Sequence, residues 1–152
     1  MNPTPYTASP ADLPGVALPP AFEAFYALHH ARYLTYARAQ LPPGPAVEAV
    51  RTAFGALVIG WSAVVGSPNP TARAWDFLSY EVRRRDLRRS ARPADASCVL
   101  HEDVRVLAAL GFTPETSADI TGRDPSKIRY LAARSTTCTH PASCERGCDT
   151  AL

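Results

Sequence analysis

The sequence predicts an all-α fold: an N-terminal helical bundle followed by a small helix-turn-helix unit. Three observations carry this. Apolar residues recur at steps of three and four along three successive segments from Ala21 to Ser90, and no segment alternates as a strand does. "LPPGP" (Leu41 to Pro45) and "GSPNP" (Gly66 to Pro70) separate those segments, because proline lacks the amide hydrogen a helix interior needs. Further on, "PETSADITGRDPSKIRYLAARS" (Pro114 to Ser135) reads as a short helix, a turn at Gly122, and a second helix with Asp124 as N-cap and Pro125 at its first position.

Taken in order, residues 1–20 hold six prolines and form a predicted tail that buries little. Phe22, Tyr26, His29, Tyr33 and Tyr36 make the stripe of the first helix. Val47, Val50, Phe54, Leu57, Val58, Trp61 and Val65 make that of the second. The third helix starts near Thr71 and has Leu78 at the centre of its core face, flanked by Ala74, Trp75 and Val82. The bundle therefore spans 21–90. Residues 91–98 read as a linker, and 99–135 as the helix-turn-helix unit, whose first stripe is Leu100, Val104, Leu107 and Ala108. Residues 136–152 form a cysteine-rich tail without periodicity.

Composition narrows the function classes. The net charge is +2, so a nucleic-acid surface has to come from local clustering. All but one of the 16 basic residues are arginine, the exception being Lys127. That usage suits a GC-rich coding sequence, so arginine richness alone carries little. The longest apolar stretch, "AFGALVIGWSAVVG", is too short to span a bilayer, and the N-terminus lacks a secretory pattern. The expectation is a cytoplasmic protein with no membrane partner, whose cysteines are thiols or metal ligands. No nucleophile–base pair, phosphate loop or paired-carboxylate site is present, so no enzymatic activity is expected.

Two helices carry clustered cations. Six arginines fall between Arg83 and Arg92, with Asp86 the one acid among them. Arg73, Phe77, Arg84 and Arg88 share a flank, while Arg85 and Arg89 return to the core-facing azimuth. Either this is a solvated helix end favoured by the dipole, or it holds a polyanion, with Trp75 and Phe77 stacking on unpaired bases or packing in the core. The second helix of the helix-turn-helix carries Ser126, Lys127, Arg129, Tyr130 and Arg134, which suit phosphates and base edges if that helix enters a major groove. The alternative is an ordinary helical hairpin with basic residues outside. In the tail, Cys138, His140, Cys144 and Cys148 are candidate zinc ligands or redox thiols, although Pro141 and Gly147 oppose a continuous helix there. No other cofactor is required.

The order of these parts resembles a bacterial RNA polymerase sigma factor of the small, extracytoplasmic-function type. "FEAFYALHHARYLTYARAQL" and "AVEAVRTAFGALVIGW" resemble the opening and clamp-docking helices of sigma region two. "SPNPTARAWDFLSYEVRRRDLRR" resembles the helix that melts and reads the minus-ten element, and residues 112–135 resemble region four. The resemblance implies core RNA polymerase and promoter DNA as partners, with an anti-sigma or accessory protein as a further one. It implies polymerase contacts at Glu48, Arg51, Phe54 and Leu57. It implies minus-ten contacts at Arg73, Trp75 and Arg83 to Arg89, and minus-thirty-five contacts at Ser126, Lys127, Arg129 and Tyr130.

The chain also departs from the family pattern. Arg51 and Thr52 stand where the clamp helix usually carries Gln and Glu, and Val82 stands where an Asn is usual. Ser117, Thr121 and Ala132 replace larger apolar residues. Three functions follow as expectations: a sigma-like initiation factor, a sigma-like DNA-binding adaptor that does not initiate by itself, or a zinc or thiol sensor with a helical interaction module.

Overall fold

The structure, a computed structural model, describes residues 17–86 and 96–134, with the backbone path alone for 96–98. Arg88, Arg89, the proline-rich residues 1–16 and the candidate ligands Cys138, His140, Cys144 and Cys148 lie outside the described residues. Among the described residues there are seven helices and no strand.

Helix α1 is Pro20–Arg38, α2 is Pro43–Ile59, α3 is Trp61–Val65 and α4 is Pro70–Arg85. Helices α5, α6 and α7 are Ala96–Ala109, Pro114–Thr121 and Pro125–Ala133. Proline opens α1, α2, α4, α6 and α7, where its fixed φ suits the first turn and its missing amide hydrogen costs nothing. The prolines of "LPPGP" therefore start a helix as well as stop one.

Two expectations are corrected here. The second apolar stripe is not one helix, because the chain changes direction at Gly60 and continues as the short α3. Its buried face is also smaller-grained than the stripe, consisting of Ala46, Ala49, Val50, Ala53, Phe54 and Leu57, while Val47 and Val65 are exposed. Alanines on this face let α2 approach its neighbours closely. Helix α5 begins at Ala96, three residues before the expected start of the second unit.

Aromatic rings fill the bundle. Phe22 meets Trp61 edge-on at 5.2 Å between centroids, Tyr33 meets Trp75 at 5.7 Å, and Tyr36 meets Trp75 at 4.6 Å. Leu107 of α5 and Ile120 of α6 belong to this same core, with Phe112 packed against it. A second, smaller core joins Leu100, Val104, Ala118, Ile128 and Leu131. The two predicted units thus share a continuous apolar seam.

His29 sits inside the aromatic stripe, with its ring 4.3 Å from that of Phe25 and its Nδ1 buried without a hydrogen-bond partner. Burial, reinforced by the Arg32 charge, lowers its pKa to about 4. The unfolded chain takes up this proton near pH 6.5, roughly. Between those values only the unfolded state is protonated, so stability is intact above the upper value and declines as pH falls toward the lower one. Wild type should lose on the order of 2 kcal/mol more than His29→Phe between about pH 7 and pH 4.5. Denaturant unfolding at both pH values measures this, and equal losses would refute it.

Candidate nucleic-acid interface

The described arginines at the end of α4, Arg83, Arg84 and Arg85, all have acidic partners. Glu81 lies three and four residues before Arg84 and Arg85, the spacing that brings side chains together on a helix. It pairs with Arg84 at 2.9 Å and also with Arg85. Arg85 further donates to Thr52 Oγ1 of α2 at 3.0 Å, which explains an arginine on the core-facing azimuth. Burial alone would raise the Glu81 pKa, but hydrogen bonds from Arg84 and Arg85 outweigh it and hold the carboxyl below its ordinary value.

Arg83 points into the seam between α4 and α5. Its guanidinium donates to Asp103 Oδ1 at 2.8 Å, to Glu102 Oε2 at 3.1 Å and to the Val99 carbonyl at 2.9 Å. Asp103, 1% exposed, is the centre of this seam. Tyr36 and Arg83 donate to its Oδ1, at 2.5 and 2.8 Å. Trp75 Nε1 and Ser79 Oγ donate to its Oδ2, at 2.9 and 2.8 Å. Each oxygen therefore accepts two hydrogen bonds, which saturates a carboxylate. Burial first, and then the neighbouring carboxylate, push the Tyr36 hydroxyl well above its ordinary pKa.

Of the two roles open to Trp75, packing in the core is the one it takes. Its ring is buried between Tyr33 and Tyr36, and its one polar atom is spent on Asp103. Phe77 is half-buried against the core. Arg83 and Arg85 are held by partners within the fold, whereas the Arg84 side chain stays half exposed beside Glu81. Arg73 is exposed and has no acidic partner among the described residues.

The helix-turn-helix geometry is present in α6 and α7. Thr113 caps α6 by accepting from Thr116 N, and Asp124 caps α7 by accepting from Ser126 N and Lys127 N. Gly122 joins them at φ +65°, in the left-handed region that glycine occupies without strain. Ile128 and Leu131 anchor α7 inward. Ser126, Arg129 and Tyr130 are exposed on it, Lys127 is half-buried at the flank of the buried face, and Arg134 follows at the C-cap. Arg129 lies 3.8 Å from Glu115 in an exposed pair, and Arg134 packs over the Tyr130 ring at 5.3 Å. Exposed pairs of this kind contribute little, so these cations remain open to a polyanion.

This unit is set rigidly against the bundle. Asn69, the N-cap of α4, accepts from Ala72 N and donates to the Gly122 carbonyl at 2.6 Å. Arg123 pairs with Asp76 at 2.7 Å.

The residues expected to meet polymerase lie on α2. Glu48 and Arg51 are exposed and pair at 3.5 Å. Leu57 is buried, and Phe54 lies at the junction of two apolar grooves between α1 and α2. The larger groove, about 490 Å³, is lined by Leu18, Phe22, Tyr26 and Val58 among others, and the second, about 240 Å³, by His30, Leu34 and Val47.

The described residues contain no cluster of His, Cys, Asp and Glu suited to a metal ion. No described helix is long and apolar enough to cross a membrane. Comparison with protein families, with curated proteins and with solved structures finds no match to this chain. Among the described residues the fold is all-helical, with α6 and α7 joined by a short turn and basic residues on the exposed part of α7.

Proposed function

We propose that this chain is a sigma-like DNA-binding adaptor, which holds duplex DNA through α7 and docks on RNA polymerase through the α1–α2 face. The observation that carries this is the division of the arginines and aromatics. Trp75 and Arg83, the groups that would capture unpaired bases, are committed to Asp103, whereas Lys127, Arg129 and Arg134 stay open on a capped and anchored helix. Of the expected roles, adaptor rather than initiator agrees best with that division. The apolar grooves around Phe54 support a protein partner on the α1–α2 face, because such concave apolar sites suit a partner's side chains.

Duplex binding between about 50 and 200 mM salt tests the reading, since each lost phosphate contact lowers the slope of log K against log salt by about 0.9. The double substitution Lys127→Ala, Arg129→Ala should lower the slope by nearly 2, roughly twice that unit, while the chain stays folded. Polymerase should be retained on immobilised wild type, and promoter bases should stay unreactive to permanganate. An unchanged slope would remove the duplex reading, and permanganate-reactive promoter bases would restore the initiator.

A further inference from the structure

The seam between the bundle and the helix-turn-helix has a consequence for how DNA is held. A Cβ placed on Gly122 would lie 2.4 Å from Ala72 N and 2.9 Å from the Thr71 carbonyl carbon, so the turn rests directly on the first turn of α4. Arg73 follows Ala72 immediately. One helical turn further along the same exposed face, Asp76 receives Arg123, the residue that leads into the α7 cap. Asp76 is paired with Arg123, and Arg73 is an exposed cation beside the turn with no acidic partner among the described residues. Its backbone is held in place by Asn69, whose side chain ties α4 to the Gly122 carbonyl.

In helix-turn-helix proteins the N-terminal part of the second helix approaches base edges, and contacts to flanking phosphates fix its register. Arginine suits that second task because its planar fork pairs with phosphate oxygens. We infer that Arg73 contacts the phosphate backbone beside the base pairs facing α7, so that the N-terminal bundle is part of the duplex-binding surface and sets the register of α7. This rests on the duplex-binding reading above. It gives Arg73 a role on intact duplex rather than on a melted strand.

The test compares the salt dependence of binding to several mixed-sequence duplexes for wild type, Arg73→Ala, Lys127→Ala and Arg38→Ala. Arg38 is an exposed arginine on α1. Arg73→Ala should lower the slope by about 0.9, as one lost phosphate contact does, and should weaken all duplexes by the same factor. Arg73→Lys should restore most of the slope, and thermal unfolding should show every variant folded. If Lys127→Ala lowers the slope and Arg73→Ala does not, the inference is overturned while the duplex reading stands. If neither lowers it, both fall. A decrease for Arg38→Ala equal to that for Arg73→Ala would reduce the effect to net charge and would also overturn the inference.

Discussion

Asp103→Ala is expected to destabilise the chain by about 3–5 kcal/mol, the usual cost of stripping the partner from a buried charge. Four donors lose their acceptor at once: the Tyr36 hydroxyl, Trp75 Nε1, Ser79 Oγ and the Arg83 guanidinium. The Arg83 side chain is only 16% exposed, so a guanidinium left there without the carboxylate is largely stripped of solvent. Its remaining partners, Glu102, the Val99 carbonyl and Ser79 Oγ, do nothing for Trp75 or Tyr36. Asp103→Asn keeps an acceptor oxygen but removes the charge and substitutes a donor where Ser79 and Trp75 both donate. It should fall between wild type and Asp103→Ala. Denaturant unfolding gives the values. A double-mutant cycle with Arg83→Ala should return a coupling of roughly 1–3 kcal/mol. A loss below about 1 kcal/mol for Asp103→Ala would mean that the four bonds hold no more than an exposed set does.

Gly122→Ala should destabilise the chain by about 3–4 kcal/mol, from two separable causes. One is the left-handed conformation at φ +65°, which costs a residue with a side chain roughly 1–2 kcal/mol. The other is steric. The new Cβ would overlap the α4 backbone at Ala72 and Thr71, and backbone cannot swing aside as a side chain can. Overpacking of this sort adds about 1–3 kcal/mol. Gly111 provides the control, because it also has positive φ, at +86°, yet a Cβ there meets nothing within 4 Å. Gly111→Ala should cost only the conformational part, about 1 kcal/mol. The difference between the two variants therefore measures the contact between the helix-turn-helix and the bundle. Equal losses would show that this contact contributes nothing.

Several features of the fold were legible from local chemistry. Asp124 with Pro125 marked the start of α7, and both were found there, with Asp124 accepting from two amides. Gly122 marked the turn. The azimuths around Leu78 placed Trp75 and Val82 on the buried face of α4, where they lie. The pairing of Glu81 with Arg84 and Arg85 was also open to sequence reasoning, through three- and four-residue spacing, but counting acids only from Arg83 onward passed over it. Asp103 left a subtler trace. It falls between Leu100 and Val104 in the apolar stripe of α5, and an acid in that place must find donors.

The identity of those donors could not be read in the same way. Tyr36 is separated from Asp103 by 67 positions, Trp75 by 28, Ser79 by 24 and Arg83 by 20. Helical spacing links residues three and four apart, and it says nothing about which face of one helix meets which face of another. The chain-order signals alone determined the helical class, the proline- and glycine-marked breaks and where the cations cluster, but not the break at Gly60. Tertiary packing decided which of those cations are neutralised. It buried Trp75 and Arg83 on one carboxylate, left Arg129 exposed, and set Arg73 beside the turn. The physical reason is that a charge is silenced by the partner brought to it in space, and here that partner comes from another helix.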